Sequence, residues 1–204
     1  MRRLLFVFWG VVPVLCFGQK VVVSADAAPR VKYGAERLRK AVPVGMRVVV
    51  SVVPDTVKEG YSIMQRGDEV RVIGSDPSGA LYGCLELADR LRRGASVVVK
   101  DHPEMVLRGA CIGVQKPTLL PGRGPYEYPY TPENFPWFYD RALWVKYLDS
   151  MVDNRLNTLY LWNGHPFASL VRLKDYPYAV EVDDATFRKN EEMYRFLTEE
   201  ADRR

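Results

Sequence analysis

The sequence predicts an α/β chain in two parts: a small α/β sandwich over residues 19–102, then the first two βα units of an incomplete (β/α)8 barrel over 103–204. Three observations predict it. Short β-branched runs alternate with helical apolar patterns through the first hundred residues. An apolar strand, a long loop and an amphipathic helix then recur twice in that order. Short turns precede these two strands and elaborate loops follow them, which is how a βα-barrel separates its stability face from its binding face.

A leader precedes both parts. "MRRLLFVFWGVVPVLCFGQK" carries Arg2 and Arg3, an apolar run from Leu4 to Phe17, and then the small Gly18, the three-part layout of a secretory signal. The run is short for a bilayer span, so residues 1–18 are expected to direct export to the periplasm or beyond, with cleavage near Gly18. An uncleaved anchor, or a lipid on Cys16, is the alternative; Val14 and Leu15 lack the small residue that a lipidation site carries. Loss of the leader lowers the formal charge from +4 to +2, which is no nucleic-acid signature. His102 and His165 are the only histidines, far from metal-ligand spacing, so neither a metal nor a cofactor is expected. Cys84 and Cys111 sit in apolar patterns and read as buried free thiols, with a disulfide as the alternative.

In the first part "KVVVS" reads as a strand. "AAPRVKYGAERLRKAV" follows as a helix, with Asp26 as candidate cap and Pro29 in the first turn. "MRVVVSVV" is a second strand. "GYSIMQ" and "EVRVIGS" flank the polar Arg66-Gly67-Asp68 as a hairpin, which accounts for that tripeptide without an adhesion role. "SDPSGALYGCLELADRLRR" is a helix with Asp76 as N-cap and Pro77 at its first position, and "ASVVVK" closes the sheet.

In the second part "MVLRGACIGV" reads as an almost continuous apolar strand buried on both faces and interrupted by Arg108. The segment 117–137 carries six prolines and many aromatics; a loop that long has work to do or is disordered, and its aromatic density argues against disorder. Tyr126, Tyr128 and Tyr130 either line a cleft or pack that loop. "DRALWVKYLDSMVDN" is an amphipathic helix, "LNTLYLW" a second buried strand, and "NGHPFASLVRLKDYPYAVEVDD" a second long loop. A last helix has Asp183 and Asp184 at its start, where the dipole favours them.

The run "EGYSIMQRGDEVRVIGSDPSGALYGCLELADRL" resembles the N-terminal α/β domain of bacterial β-N-acetylhexosaminidases and α-glucuronidases, in which a Gly-Tyr strand, a hairpin and a Gly-Ala-x-Tyr-Gly helix recur. "HPEMVLRGACIGV" is similar to the first barrel strand of hexosaminidases, and "MVDNRLNTLYLW" to their first barrel helix running into strand two. The resemblance covers most of the chain after the leader. It departs at Ile112, Gly113 and Lys116, where hexosaminidases usually have Leu-Asp and then Arg, and at Tyr160 and Trp162, where they tend to have histidines.

The resemblance implies an exported glycoside hydrolase acting on an oligosaccharide or polysaccharide, with Arg108 of the Arg-Gly pair reaching substrate hydroxyls. Read from the residues themselves, Arg108 either binds sugar or pairs with a carboxylate inside the fold. Trp162 is either a sugar platform or core. Asn163 and His165, at the end of the second barrel strand, either contact substrate or shape the turn. Glycosidic cleavage needs two facing carboxyl groups. The family's Asp-Glu pair follows a later strand that this sequence does not contain, so no catalytic residue is assigned and the 204 residues are expected to be inactive. Glu127, Glu133, Asp140, Asp175 and Glu181 on the loops are expected to be solvated or capping. The alternative function is a non-catalytic exported module that binds glycan or a partner protein.

Overall fold

A computed structural model describes residues 20–116, 120–124, 128–162 and 168–204. The first part holds β1 (Lys20–Val22), α1 (Pro29–Arg39), β2 (Arg47–Val52), β3 (Tyr61–Arg66), β4 (Glu69–Gly74), α2 (Pro77–Arg93) and β5 (Val99–Asp101). The second holds β6 (Gly109–Gly113), α3 (Arg141–Asp153), β7 (Thr158–Trp162) and α4 (Asp184–Asp202).

The first five strands form one sheet in the order β1-β2-β4-β3-β5, with β1, β2 and β4 parallel and β3 antiparallel to both of its neighbours. Alternation sends Val48, Val50, Ile63, Val70 and Val72 to one face, where they meet Val31, Ala35 and Leu38 of α1 and Leu81, Leu85 and Leu87 of α2 in one core. The opposite face carries Ser62, Met64 and Arg71. The hairpin lies where expected, Arg66 pairing with Glu69 across Gly67 and Asp68.

Helix α2 begins as its sequence dictates. Asp76 Oδ1 accepts from the Gly79 amide at 2.8 Å, and Pro77 supplies a first-turn φ at no hydrogen-bond cost. Helix α1 corrects one expectation. Its N-cap is Ala28, without a side-chain bond, because the chain turns at Ser24–Ala27 and Asp26 instead accepts from the Ser24 hydroxyl.

β6 and β7 form a separate parallel pair, Gly109 opposite Thr158 and Gly113 opposite Trp162. Leu159, Leu161 and Ile112 turn toward a second core built from Tyr130, Phe135, Phe138, Trp144, Met193 and Leu197. Two strand expectations meet a different picture here. Met105, Val106 and Leu107 lie outside β6 and are exposed, and among the described residues one face of β6 is left uncovered. Each strand of the pair has a single neighbour among the described residues, and one face carries no helix. Cys111, on that open face, is therefore an exposed thiol, whereas Cys84 is buried as expected and its pKa is pushed to about 12 by desolvation. The two are not bonded.

The two parts pack directly. Val152 of α3 enters the first core. The Tyr33 hydroxyl donates to Asp149 Oδ1 at 2.6 Å, Arg204 Nε donates to the same oxygen at 2.6 Å, and Arg30 bridges to Asp202 at 3.1 Å. Burial alone raises the Asp149 pKa, but the Tyr33 hydroxyl and the Arg204 guanidinium outweigh it and hold the carboxyl below the usual range.

Two outcomes follow from this packing. Alanine is a better helix residue than glycine by about 1 kcal/mol, yet a Cβ on Gly79 would stand 2.1 Å from the Gly60 carbonyl oxygen. Gly79→Ala is therefore expected to lower the urea midpoint, by about 1–3 kcal/mol of stability; a raised midpoint would refute the close packing of α2 on the β3 approach. For Asp149 the folded pKa lies below the unfolded value of about 3.9, so its stabilisation is present above that pH and lost as pH falls through the folded pKa. The stability gap between wild type and Asp149→Asn should be constant near neutrality and close in acid. A gap that widens in acid would reverse the assigned sign.

Candidate functional site

The parallel register gives the β6/β7 pair two chemically different ends. Arg108 and Asn157 stand just before the strands, and Trp162 stands at the far end opposite Gly113. At ~3.3 Å per residue the two ends lie roughly 16 Å apart. The substrate candidates therefore do not form one cluster.

At the near end, Arg108 is satisfied from within. Its Nε donates to the Arg155 carbonyl at 2.8 Å, Nη1 to the Met105 carbonyl at 2.6 Å, and Nη2 to the Glu59 carboxylate, with the Tyr82 hydroxyl at 3.5 Å. The side chain is 11% exposed. Burial opposes its charge, but the hydrogen bond and the charge of Glu59 outweigh that and raise its pKa. Of the two readings open for Arg108, the internal ion pair is the one the geometry contains, and its donors are turned from the strand ends where ligands bind. Gly109 has its own reason to follow: a Cβ there would stand 2.2 Å from the Thr158 carbonyl oxygen, so only glycine lets β7 approach at this level.

Asn157 and Glu59 are the participants that sequence reasoning missed. Asn157 Nδ2 donates to Glu59 Oε1 at 3.1 Å and to the Val106 carbonyl at 2.8 Å, while its Oδ1 accepts from the Arg108 amide at 3.0 Å. Asparagine just before "TLYLW" was the available signal. Glu59 had none, because its partners are 49 and 98 residues away.

At the far end, Trp162 is 42% exposed and Tyr160 is 57% exposed, so the platform alternative for Trp162 is sterically open. The Val114 amide donates to the Trp162 carbonyl at 3.0 Å and ties the two strand ends together. Past β6, the Lys116 ammonium stands 5.1 Å from the ring centroid of Tyr128, whose hydroxyl accepts from the Leu120 amide at 2.6 Å. Asn163 and His165 lie outside the described residues, as do Tyr126, Glu127 and the leader with Cys16.

The aromatic loop before α3 packs itself down. Tyr128 and Tyr130 are buried, Tyr130 meets Phe135 edge-on at 5.6 Å, and Trp144 Nε1 donates to the Phe138 carbonyl at 2.8 Å. Asn190 of α4 binds the carbonyls of Tyr130 at 3.0 Å and Ser169 at 3.1 Å, so both long loops are pinned by one side chain.

The loop carboxylates have local duties. Asp140 caps α3 through the Leu143 amide at 2.9 Å, and Glu181 pairs with Arg123 at 2.6 Å. Backbone and Thr131 hydrogen bonds hold Glu133 below the usual carboxylate range, the opposite of what a general acid needs. Asp175 is exposed. The cap of α4 is Asp183, accepting from Thr186 at 2.7 Å, with Asp184 in the first turn. Among the described residues no three His, Cys, Asp or Glu side chains gather as a metal site, and no helix is long and apolar enough to cross a membrane.

No family model matches the chain, and no curated protein matches its sequence. Solved structures do. A GH138 enzyme targeting pectin rhamnogalacturonan II is 50% identical over 90% of this chain, with a TM-score of 0.82, and the chain spans 29% of that enzyme's length. A glycoside hydrolase family 20 β-N-acetylglucosaminidase shares the fold at 17% identity over 90% of the chain, with a TM-score of 0.53 and 38% of its own length covered. A GH20 β-N-acetylhexosaminidase from Streptomyces coelicolor A3(2) does so at 17% identity over 90%, with a TM-score of 0.53 and 40% covered. The neighbours of this chain are glycoside hydrolases, the class to which the sequence resemblance points.

Proposed function

We propose that residues 19–204 are the amino-terminal part of an exported glycoside hydrolase, with 1–18 as its cleaved signal, 19–102 as an accessory α/β domain and 103–204 as the opening of a (β/α)8 catalytic barrel. The observation that carries this reading is the 50% identity, over 90% of the chain, to an enzyme of which the chain spans 29%. That relative targets pectin rhamnogalacturonan II, which makes pectic glycans the substrates to test first.

Barrel logic supports the placement. Binding residues of such folds gather at the carboxyl ends of the strands. Trp162, with Asn163 and His165 after it, occupies that position on β7, so these three remain the proposed substrate contacts. Arg108 is assigned to scaffolding. No carboxylate pair suited to glycosidic cleavage is placed among the described residues, and by this reading 204 residues bind sugar weakly and hydrolyse nothing. The rival, a stand-alone glycan-binding module, draws on the exposed aromatics Trp162, Tyr176 and Tyr178.

Both readings are tested on rhamnogalacturonan II and on neutral polysaccharide. The 204-residue chain is expected to release no sugar, whereas the longer polypeptide that carries it should depolymerise the pectic substrate. Trp162→Ala in that longer polypeptide should raise KM about tenfold with the melting temperature unchanged. Turnover by the 204 residues alone would overturn the incomplete-barrel reading. Saturable binding by the 204 residues, with no activity in the longer polypeptide, would favour the module.

A further inference from the structure

We propose that Glu59 is a positioning residue that sets the register of β6 against β7, one carboxylate oxygen for each strand. Oε2 accepts from the Arg108 guanidinium, immediately before β6, and Oε1 accepts from the Asn157 amide at 3.1 Å, immediately before β7. Asn157 then closes the loop by accepting from the Arg108 backbone amide at 3.0 Å. Both strands therefore begin at points measured from the same side chain.

Glu59 is itself over-determined. Its φ is +55°, a left-handed backbone that non-glycine residues adopt only when their surroundings impose it. Its amide donates at 2.7 Å to Oδ2 of Asp76, the residue that caps α2 through its other oxygen. Arg155 is the second non-glycine residue with positive φ among those described, at +59°, and its carbonyl is the one that receives Arg108 Nε at 2.8 Å. The two strained residues thus meet at one guanidinium, and they connect the first turn of α2 to the starts of both strands. Strain gathered at such a point indicates a constraint retained for its effect elsewhere.

The effect is sidedness. A slip of one residue in a strand pair exchanges its two faces, which here would bury Tyr160 and Trp162 and expose Leu159 and Leu161. Burial of Leu159 and Leu161 against the second core favours one register from within the pair. The carboxylate adds a second reference from outside it, in the turn before β3.

Amide hydrogen exchange on the full chain, read together with the Trp162 indole N–H resonance, tests this. In Glu59→Gln one carboxylate oxygen becomes an amino group facing donors. The β6 and β7 amides should then exchange at least tenfold faster, those of β2 and β4 should be unchanged, and the Trp162 resonance should move although it lies at the opposite end of the strands. Arg108→Lys should behave alike, since a compact ammonium cannot span the three acceptors that Nε, Nη1 and Nη2 reach from separate nitrogens. Glu69→Gln, which breaks a carboxylate–arginine contact within the first sheet, should leave β6, β7 and Trp162 as they were. Unchanged β6 and β7 exchange, or an acceleration shared equally by β2 and β4, would overturn the proposal. Should Glu59→Gln fail to fold, the unaltered chain decides: the Gly60 amide and the β6/β7 amides must open together as urea is raised, and separate opening overturns the proposal.

Discussion

The guanidinium of Arg108 is a charge with little water around it, and a charge so placed has to be paired and hydrogen-bonded or it destabilises the fold. It meets that requirement with acceptors from three stretches of chain: the Glu59 carboxylate from the turn before β3, the Arg155 carbonyl from the turn before β7, and the Met105 carbonyl from the approach to β6. Arginine suits the place because its rigid fork serves several directions at once. The same side chain stands 5.8 Å over the ring of Tyr82, in α2, so the helix that covers the first sheet also bears on the start of the second. The residue that resemblance assigns to a sugar joins the two parts of the chain through these bonds.

From that junction the division of labour along β6 and β7 follows. Parallel strands put all their amino ends together and all their carboxyl ends together, so what anchors one end is removed from what happens at the other. The near end is crowded with internal hydrogen bonds and with a glycine that lets the backbones close up. The far end carries Lys116, Tyr160 and Trp162 beside long loops that are pinned at their bases by Asn190 and by the Tyr130–Phe138 ring cluster. Loops held on a rigid scaffold at the carboxyl ends of strands are where α/β folds place binding function.

How much of this was legible depended on how local the cause was. Helix α2 could be read because its start is written in adjacent residues, Asp76 and Pro77, and its buried face repeats every turn. The hairpin at Gly67 was equally local. The strand-helix order of the second part was legible from periodicity, and so was the placing of Asp183 at a helix start, while Asp140, open between a solvated and a capping role, proves to be a cap. Three features were not. Ala28 replaced Asp26 as the cap of α1 because a turn two residues earlier claimed the carboxylate. Met105–Leu107 look like strand but have no partner strand at their level among the described residues, and β propensity without a partner decides little. The fate of Arg108 depended on Glu59, 49 residues away and in a backbone conformation that no sequence pattern marks.

The open face of the β6/β7 pair ties the fold to the proposed function. Parallel sheets are ordinarily covered on both sides, and among the described residues this one is covered on the side of Ile112, Leu159 and Leu161 alone. On the other side, partners across the ladder are consistently unequal in size: Gly109 faces Thr158, Cys111 faces Tyr160, and Gly113 faces Trp162. A solvated sheet face has no need of that pairing, and a polar residue would serve better at each position. Small against large on neighbouring strands is what the interior of a closed barrel needs, because side chains converging on one axis leave room for only some of them to be bulky. On the proposed reading the aromatic face is the first sector of a barrel interior. Its exposure here and its placement of Trp162 at the binding end are then two consequences of the same register.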